Sequence, residues 1–382
     1  MLKDKSFYKD KKVIVRVDYN VPVKDGVIED DNRIVSSLKT INYLIDAEAK
    51  IILMSHMGKI KNEEDKVNNS LEIVSKRLSD LLNKEVKFCK YTKGNELENM
   101  INSLNPGEVL LMENTRYEDY PENKESSCDK ELSSYWASLG DTYVMDAFGS
   151  IHRNHASTYG IGSILGGTTG FLVDEELDHL KDILSNKDKI VILGGSKVSD
   201  KLGVIENLVN NSKKILLGGG MCFTFLRSLG KNVGNSIVDI EKIDYCKELL
   251  NKYNDKIVLP VDIHTDNGIK SIDNINDNEI GFDIGNETIS LYKSLISKDD
   301  LVVWNGPMGK FEDTKYENGT KELLEYLNSN NIKTVICGGD TGNASKKYGL
   351  SFYYISTGGG ASLEYLEGKH FDILEVLNKW RK

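Results

Sequence analysis

Short runs of β-branched and aliphatic residues alternate along this chain with longer stretches whose apolar positions recur at helical spacing. Each short run ends in a turn rich in Gly, Asp, Asn or Ser. This alternation is the pattern of repeated strand–helix units, because parallel strands buried on both faces read as near-continuous apolar runs. In the first half the runs 13–17, 51–54, 109–112 and 142–145 end in Asp18-Tyr19-Asn20, Ser55-His56-Met57-Gly58-Lys59, Glu113-Asn114-Thr115-Arg116 and Asp146-Ala147-Phe148-Gly149. In the second half they lead into Gly194-Gly195-Ser196-Lys197, Gly218-Gly219-Gly220-Met221, Pro260-Val261-Asp262, Trp304-Asn305-Gly306-Pro307, Gly338-Gly339-Asp340-Thr341 and Ser356-Thr357-Gly358-Gly359-Gly360. Open parallel sheets bind ligands beyond the carboxyl ends of their strands, so two such halves predict two half-sites. Between them, residues 160–170 are glycine-rich and 171–184 read as an amphipathic helix with an acidic first turn, which puts the hinge there.

The half-sites differ in chemistry. The first offers His56, Arg116 and Arg153, with Arg33 added after Asp30-Asp31, a basic cradle suited to a small anion. The second offers glycine turns and Asp340, which suit a nucleotide phosphate chain and its magnesium. Lys197 and Lys201 follow Gly194-Gly195 at i, i+4 spacing in what reads as the start of a helix. Cations in a first helical turn cost about 0.3–1 kcal/mol each, and a bound polyanion reverses that sign. The segment therefore predicts a phosphate site with both lysines on one face.

Composition narrows the class. A chain of 382 residues with 39% hydrophobic content is long enough for two or three domains with real cores. Residues 1–12 contain no signal-like apolar region, and no run approaches a membrane span, so a cytoplasmic location is expected. Five scattered cysteines without a C-x-x-C pattern predict reduced, mostly buried thiols. A net charge of −10 without a long basic stretch argues against nucleic acid or a membrane surface as partner. Taken singly, Arg116 and Arg153 read as surface ion-pair partners, His56 as a core or capping histidine, Asp18 as a turn residue and Trp304 as core packing.

Their order along the chain says more. From about residue 13 to 368 the sequence resembles phosphoglycerate kinase. The motifs are Arg16-Val17-Asp18-Tyr19-Asn20-Val21-Pro22, Asp30-Asp31-Asn32-Arg33-Ile34, Ser55-His56-Met57-Gly58, Glu113-Asn114-Thr115-Arg116-Tyr117-Glu118, and Asp146-Ala147-Phe148-Gly149 with His152-Arg153-Asn154-His155-Ala156-Ser157. The second half adds residues 194–201, Val303-Trp304-Asn305-Gly306-Pro307-Met308-Gly309, Gly338-Gly339-Asp340-Thr341 and residues 356–364. The resemblance implies an α/β fold of two doubly wound, Rossmann-like parallel-sheet domains. These would be a phosphoglycerate-binding domain, 1–168, a linker helix, 169–186, and a nucleotide-binding domain, 187–367, with 368–382 returning to the first. It implies a monomer that moves a phosphoryl group between 1,3-bisphosphoglycerate and MgADP, giving 3-phosphoglycerate and MgATP after domain closure.

By the same resemblance, Asp18, Tyr19, Asn20, Arg33, His56, Met57, Gly58, Lys59, Arg116 and Arg153 would bind phosphoglycerate. Arg33, Lys197, Gly339 and Gly359 would act on the transferring phosphoryl. Lys197, Lys201, Gly218, Gly219, Gly281, Asn305, Pro307, Glu312, Gly338, Gly339, Asp340 and Thr341 would bind nucleotide, and Asp340 would carry Mg²⁺ through the phosphates. Three departures stand out: Lys59-Ile60 replaces a common Arg-Pro, Cys337 opens what is commonly a triple glycine, and Gly342-Asn343 replaces small apolar residues. Two other classes are weighed. A dinucleotide-dependent oxidoreductase lacks its G-x-G-x-x-G after the first strand, and a binding module without turnover would be expected to have lost charges that are present here.

Overall fold

The computed structural model describes residues 1–379. The chain divides into two compact units, Met1–Leu177 together with the segment from His370 onward, and Asp178–Lys369. The division falls within the helix Phe171–Ser185.

In the first unit, strands β1 (Lys12–Val17), β4 (Lys50–Met54), β5 (Val86–Cys89), β6 (Val109–Met112), β7 (Thr142–Asp146) and β8 (Thr168–Thr169) form a parallel sheet in the order β5-β6-β4-β1-β7-β8. A short antiparallel hairpin, β2 (Val23–Lys24) and β3 (Val27–Ile28), lies outside it. Central β1 pairs with β4 and β7, setting Val13 beside Ile51 and Thr142, so both its faces are buried. Arg16 is a fully buried charge in this central strand. The helix Asn32–Asp46 turns Ile34, Ser37, Ile41 and Leu44 inward at three- and four-residue spacing, and several of these join the core cluster on β1 and β4. The glycine-rich segment 160–170 is not an open joint. It holds the helix Ile161–Leu165 and strand β8, and Gly162 packs against Ile373 of the helix Asp372–Lys379.

The second unit carries β9 (Lys189–Leu193), β10 (Ser212–Leu217), β11 (Ile257–Val258), β15 (Val302–Asn305), β16 (Thr334–Cys337) and β17 (Tyr354–Ile355) in the parallel order β11-β10-β9-β15-β16-β17. Counted within this sheet, that order is 3-2-1-4-5-6, the doubly wound dinucleotide-fold order, with its switch point between β9 and β15. Trp304 lies in the core, its Nε1 donating to the Gly306 carbonyl at 2.7 Å. The sequence pattern gave no sign of a further antiparallel sheet, β12 (Asp262–Thr265), β13 (Gly268–Ser271) and β14 (Gly281–Ile284), ordered β13-β12-β14. None of the five cysteines forms a disulfide, and Cys128 alone is not buried. Among the described residues no helix is long and apolar enough to cross a membrane.

Candidate active site

In the first unit the residues after β1, β4 and β6 are stitched together by hydrogen bonds. Asp18 leaves the end of β1 and accepts from Arg33 Nη1 with both oxygens at 2.9 Å. Asn20 Oδ1 accepts from Gly58 N at 2.9 Å, and the Gly58 carbonyl accepts from Arg116 Nη1 at 2.7 Å. Asn114 anchors this turn from below, donating to the Met57 and Asn69 carbonyls at 2.6 and 2.9 Å. Arg116 is buried, yet its Nε has no hydrogen-bond partner. Burial, then the neighbouring Arg153, pushes its guanidinium down from its ordinary value. A buried donor without an acceptor beside like charges is the environment a carboxylate or phosphate relieves.

His56 is buried and its imidazole is held well below the ordinary range, first by burial and then by Arg16, Arg116 and Arg153. Its ring is therefore neutral at neutral pH. Arg153 is exposed, with its Nε 3.2 Å from His152 Nε2. Lys59 is exposed on the Gly58 turn. Two candidates change character: Tyr19 is fully buried with its hydroxyl on Ser37, and Met57 belongs to the same core cluster. Neither offers a ligand a free side chain or carbonyl: the Tyr19 N–H donates to Ser55 Oγ at 2.8 Å, its carbonyl accepts from Val21 N, and the Met57 carbonyl is taken by Asn114, which removes both from the expected binding set. The residue that sequence reasoning left without a role is Arg16, and a charge inside the apolar run 13–17 was the available signal.

In the second unit the loop 194–201 departs from expectation. The helix begins at Leu202, with Lys201 as its N-cap, so the two lysines do not share a first helical turn. Buried Val198 pins the loop, and Lys201 N closes a turn onto the Val198 carbonyl at 2.9 Å. Lys197 is consequently exposed, whereas Lys201 is buried and donates its Nζ to Asn305 Oδ1 at the switch point. Burial lowers the Lys201 ammonium, with Asp200 and Asp340 opposing it, so an arriving phosphate would restore charge stabilisation.

Asn305 also donates to the Cys337 carbonyl at 2.6 Å. Cys337 itself ends β16 in extended conformation with a buried side chain, so it does not crowd the turn; Gly338, at φ +102°, makes the bend instead. The first α-helical bond of the helix Gly339–Lys347 runs from Gly342 N to the Gly338 carbonyl, leaving the N–H groups of Gly339, Asp340 and Thr341 outside the helical ladder. Thr341 Oγ1 accepts from Gly306 N at 2.9 Å, and Asp340 is exposed in that first turn. At Gly342 a Cβ would meet Ile355 at an ordinary 3.4 Å, so the fold does not require glycine there.

The loop after β15 is the spine of this half-site. The Pro307 carbonyl accepts from Gly195 N at 3.0 Å, the Met308 carbonyl from Gly219 N at 2.8 Å, and Lys310 N donates to the Phe282 carbonyl at 2.9 Å. At Gly219, φ +62°, a Cβ would lie 2.6 Å from Gly195 backbone atoms, so no side chain fits there. Gly218 lies against Met308, and Gly281 packs on the Phe223 ring. Glu312 is exposed beyond this spine. Gly359, at φ +50°, precedes the helix Gly360–Leu366 and has open space around it.

Comparison with known proteins agrees with this geometry. The phosphoglycerate kinase family model matches residues 2–369. The phosphoglycerate kinase of Fusobacterium nucleatum subsp. nucleatum is 50% identical over 385 residues, spanning 97% of each chain. That of Listeria welshimeri serovar 6b is 50% identical over 374 residues and 94% of each chain. The solved structure of phosphoglycerate kinase from Coxiella burnetii matches with a TM-score of 0.86 at 34% identity over 98% of each chain. The enzyme from Pyrococcus horikoshii OT3 also gives 0.86, at 31% identity over 99% of this chain and 98% of that one. A match along nearly the whole length, at half the residues identical and with both half-sites in place, leads to one conclusion: the chain belongs to the phosphoglycerate kinase family.

Proposed function

We infer that this chain catalyses reversible transfer of the acyl phosphate of 1,3-bisphosphoglycerate to ADP, giving 3-phosphoglycerate and ATP. The observation that carries this reading is a pair of anion-receptive half-sites at the carboxyl ends of two parallel sheets. One holds the partnerless buried Arg116 Nε and the other the buried Lys201 at the switch point. Asp18, Asn20, Arg33, His56, Lys59, Arg116 and Arg153, with Gly58, hold phosphoglycerate. Lys201, Asn305, Thr341 and the N–H groups at Gly338 and Gly339 hold nucleotide phosphates, and Gly218, Gly219, Gly281, Pro307 and Glu312 border the nucleoside.

In the forward direction an ADP β-phosphate oxygen attacks the acyl phosphorus. The bond from phosphorus to the acyl oxygen breaks, and the carboxylate of 3-phosphoglycerate leaves with that electron pair. No proton moves, because nucleophile and leaving group are both ionised at neutral pH. Catalysis is then alignment and neutralisation of charge on the transferring oxygens, the work assigned to Arg33, Lys197, Gly339 and Gly359. Asp340 suits Mg²⁺ bound mainly by nucleotide phosphates, since that ion keeps one or two carboxylates and fills its shell with phosphate oxygens and water. When bound, the ion would neutralise phosphate charge.

The half-sites belong to different units, so transfer requires closure about residues 169–186, with 1–168 plus 368–382 and 187–367 as the moving bodies. On this reading the enzyme works as a monomer in the cytoplasm. A binding module without turnover is not favoured, because the cradle charges and both lysines are retained. The test is initial velocity with 3-phosphoglycerate and MgATP, coupled to NADH-dependent reduction of the acyl phosphate. Activity should require Mg²⁺ and fall about 10²–10³-fold in Lys197→Ala, the scale for loss of one transition-state donor. Folded, MgADP-binding protein without turnover would overturn the reading.

A further inference from the structure

Beneath the cradle lies a buried polar relay that phosphoryl transfer itself does not use. Glu125 is fully buried, and its carboxylate accepts from Ser157 N at 2.9 Å and from the Ser157 hydroxyl. With its own proton turned toward Glu125, Ser157 Oγ accepts from Arg16 Nε at 2.8 Å. At the other end of that guanidinium, Nη1 donates to the Val17 carbonyl and Nη2 stands 3.1 Å from His56 Nδ1. A guanidinium has donors and no acceptor, so His56 Nδ1 must be the acceptor and the ring proton must sit on Nε2.

We propose that Glu125 is a positioning residue: acting through Ser157 and Arg16, it fixes His56 as the Nε2–H tautomer, so the cradle presents a neutral N–H donor to its anion. The proposal rests on the reading of His56 as a ligand of phosphoglycerate. Arg16 cannot hold this orientation alone, because a buried guanidinium without a counter-charge is strongly disfavoured and would turn toward solvent or another acceptor. Glu125 supplies the charge, and the Ser157 hydroxyl converts it into a direction.

The groups facing His56 are Arg16, Arg116, Arg153 and His155, none of them anionic. His155 Nδ1 lies 3.9 Å from Glu125 Oε1, close enough to compete for that carboxylate if it were charged. Burial, then Arg16 and the other cradle arginines, pushes the His155 imidazole down to about 3, so it stays neutral and leaves Glu125 to Arg16. Burial raises the Glu125 carboxyl, and Arg16 and the two Ser157 bonds oppose that rise.

The test uses the full chain with ¹⁵N-labelled histidine, read by ring-nitrogen NMR without ligand, beside calorimetric titration of 3-phosphoglycerate. In the parent protein His56 should show a single Nε2–H tautomer that does not titrate between pH 5.5 and 8. Glu125→Gln keeps the shape and removes the charge; it should mix the tautomers and weaken 3-phosphoglycerate binding roughly tenfold, the scale for partners behind a liganding histidine. MgADP affinity should not change. Ser157→Ala, which keeps both charges and deletes only the bridge, should do the same and decides the matter if Glu125→Gln fails to fold. A His56 that stays a single Nε2–H tautomer in both variants overturns the relay. Mixed tautomers with unchanged 3-phosphoglycerate affinity would instead show that His56 is not a ligand, which overturns the assignment on which the proposal stands.

Discussion

The half-site of the first unit is built from long cationic side chains, whereas that of the second is built from main-chain N–H groups and a single buried ammonium. In the first, Asp18 braces Arg33 and the Gly58 carbonyl braces Arg116, while Arg116 Nε is left without a partner. In the second, Lys201 leans on Asn305, and the turn at Gly338 leaves the first N–H groups of a helix outside its ladder. The contrast follows from the ligands proposed for each. A rigid carboxylate–phosphate ion rewards planar, pre-oriented guanidinium forks, whereas a flexible phosphate chain is better served by backbone that curves around it. Each unit also holds a buried aspartate at a helix start whose carboxyl burial raises. Asp146 accepts from Leu172 N at 3.0 Å, and Asp283 accepts from Gly319 N at 2.7 Å.

If the division of labour is right, damage to one unit should leave the other's ligand alone. Lys201→Met removes the buried ammonium and should weaken MgADP binding by about 10–100-fold, the range for a lost hydrogen bond to a charged group, with 3-phosphoglycerate binding unchanged. Loss of both affinities together would break the comparison.

The two aspartates should respond to pH in the same sense. Burial is the main cause lifting both carboxyls to about 7, against an unfolded value of 3.8. The folded state then binds more protons, so stability falls as pH rises from about 4 to about 7 and is level above that. Asp146→Asn and Asp283→Asn should each remove part of that slope, on the order of a few kcal/mol across the window, as read by denaturant melts at pH 4.5 and 7.5. A slope unchanged in both variants would mean the carboxyls are ionised throughout.

The smallest effect is expected at Lys59. Restoring the planar fork with Lys59→Arg should lower the apparent KM for 3-phosphoglycerate a few-fold and leave that for MgATP alone. An unchanged or higher value for 3-phosphoglycerate would remove Lys59 from the cradle.

The central parallel strands were legible because sheets buried on both faces write uninterrupted apolar runs, and the ligand-bearing turns were legible because they follow those runs. The antiparallel sheet from Asp262 to Ile284 was not: β13 is largely exposed and no apolar run marks it. The loop 194–201 misled because i, i+4 spacing is helical only where the backbone is, and Val198 and Asn305 hold that backbone in a turn. Arg16 announced itself as a charge in an apolar strand. Glu125 did not, because it lies in a polar stretch that reads as a solvated loop, and its partners Arg16 and Ser157 are distant in sequence. Local pattern locates strands and their turns; it does not report which polar residues the tertiary fold buries together.

The most direct test of the divided site is calorimetric titration of 3-phosphoglycerate and of MgADP, separately, into Arg116→Ala. The account predicts that 3-phosphoglycerate affinity falls by about 10–100-fold, as expected for loss of a charge-assisted contact, while the Kd for MgADP stays at the parent value. Retained 3-phosphoglycerate binding, or an equal loss of both ligands, would contradict it.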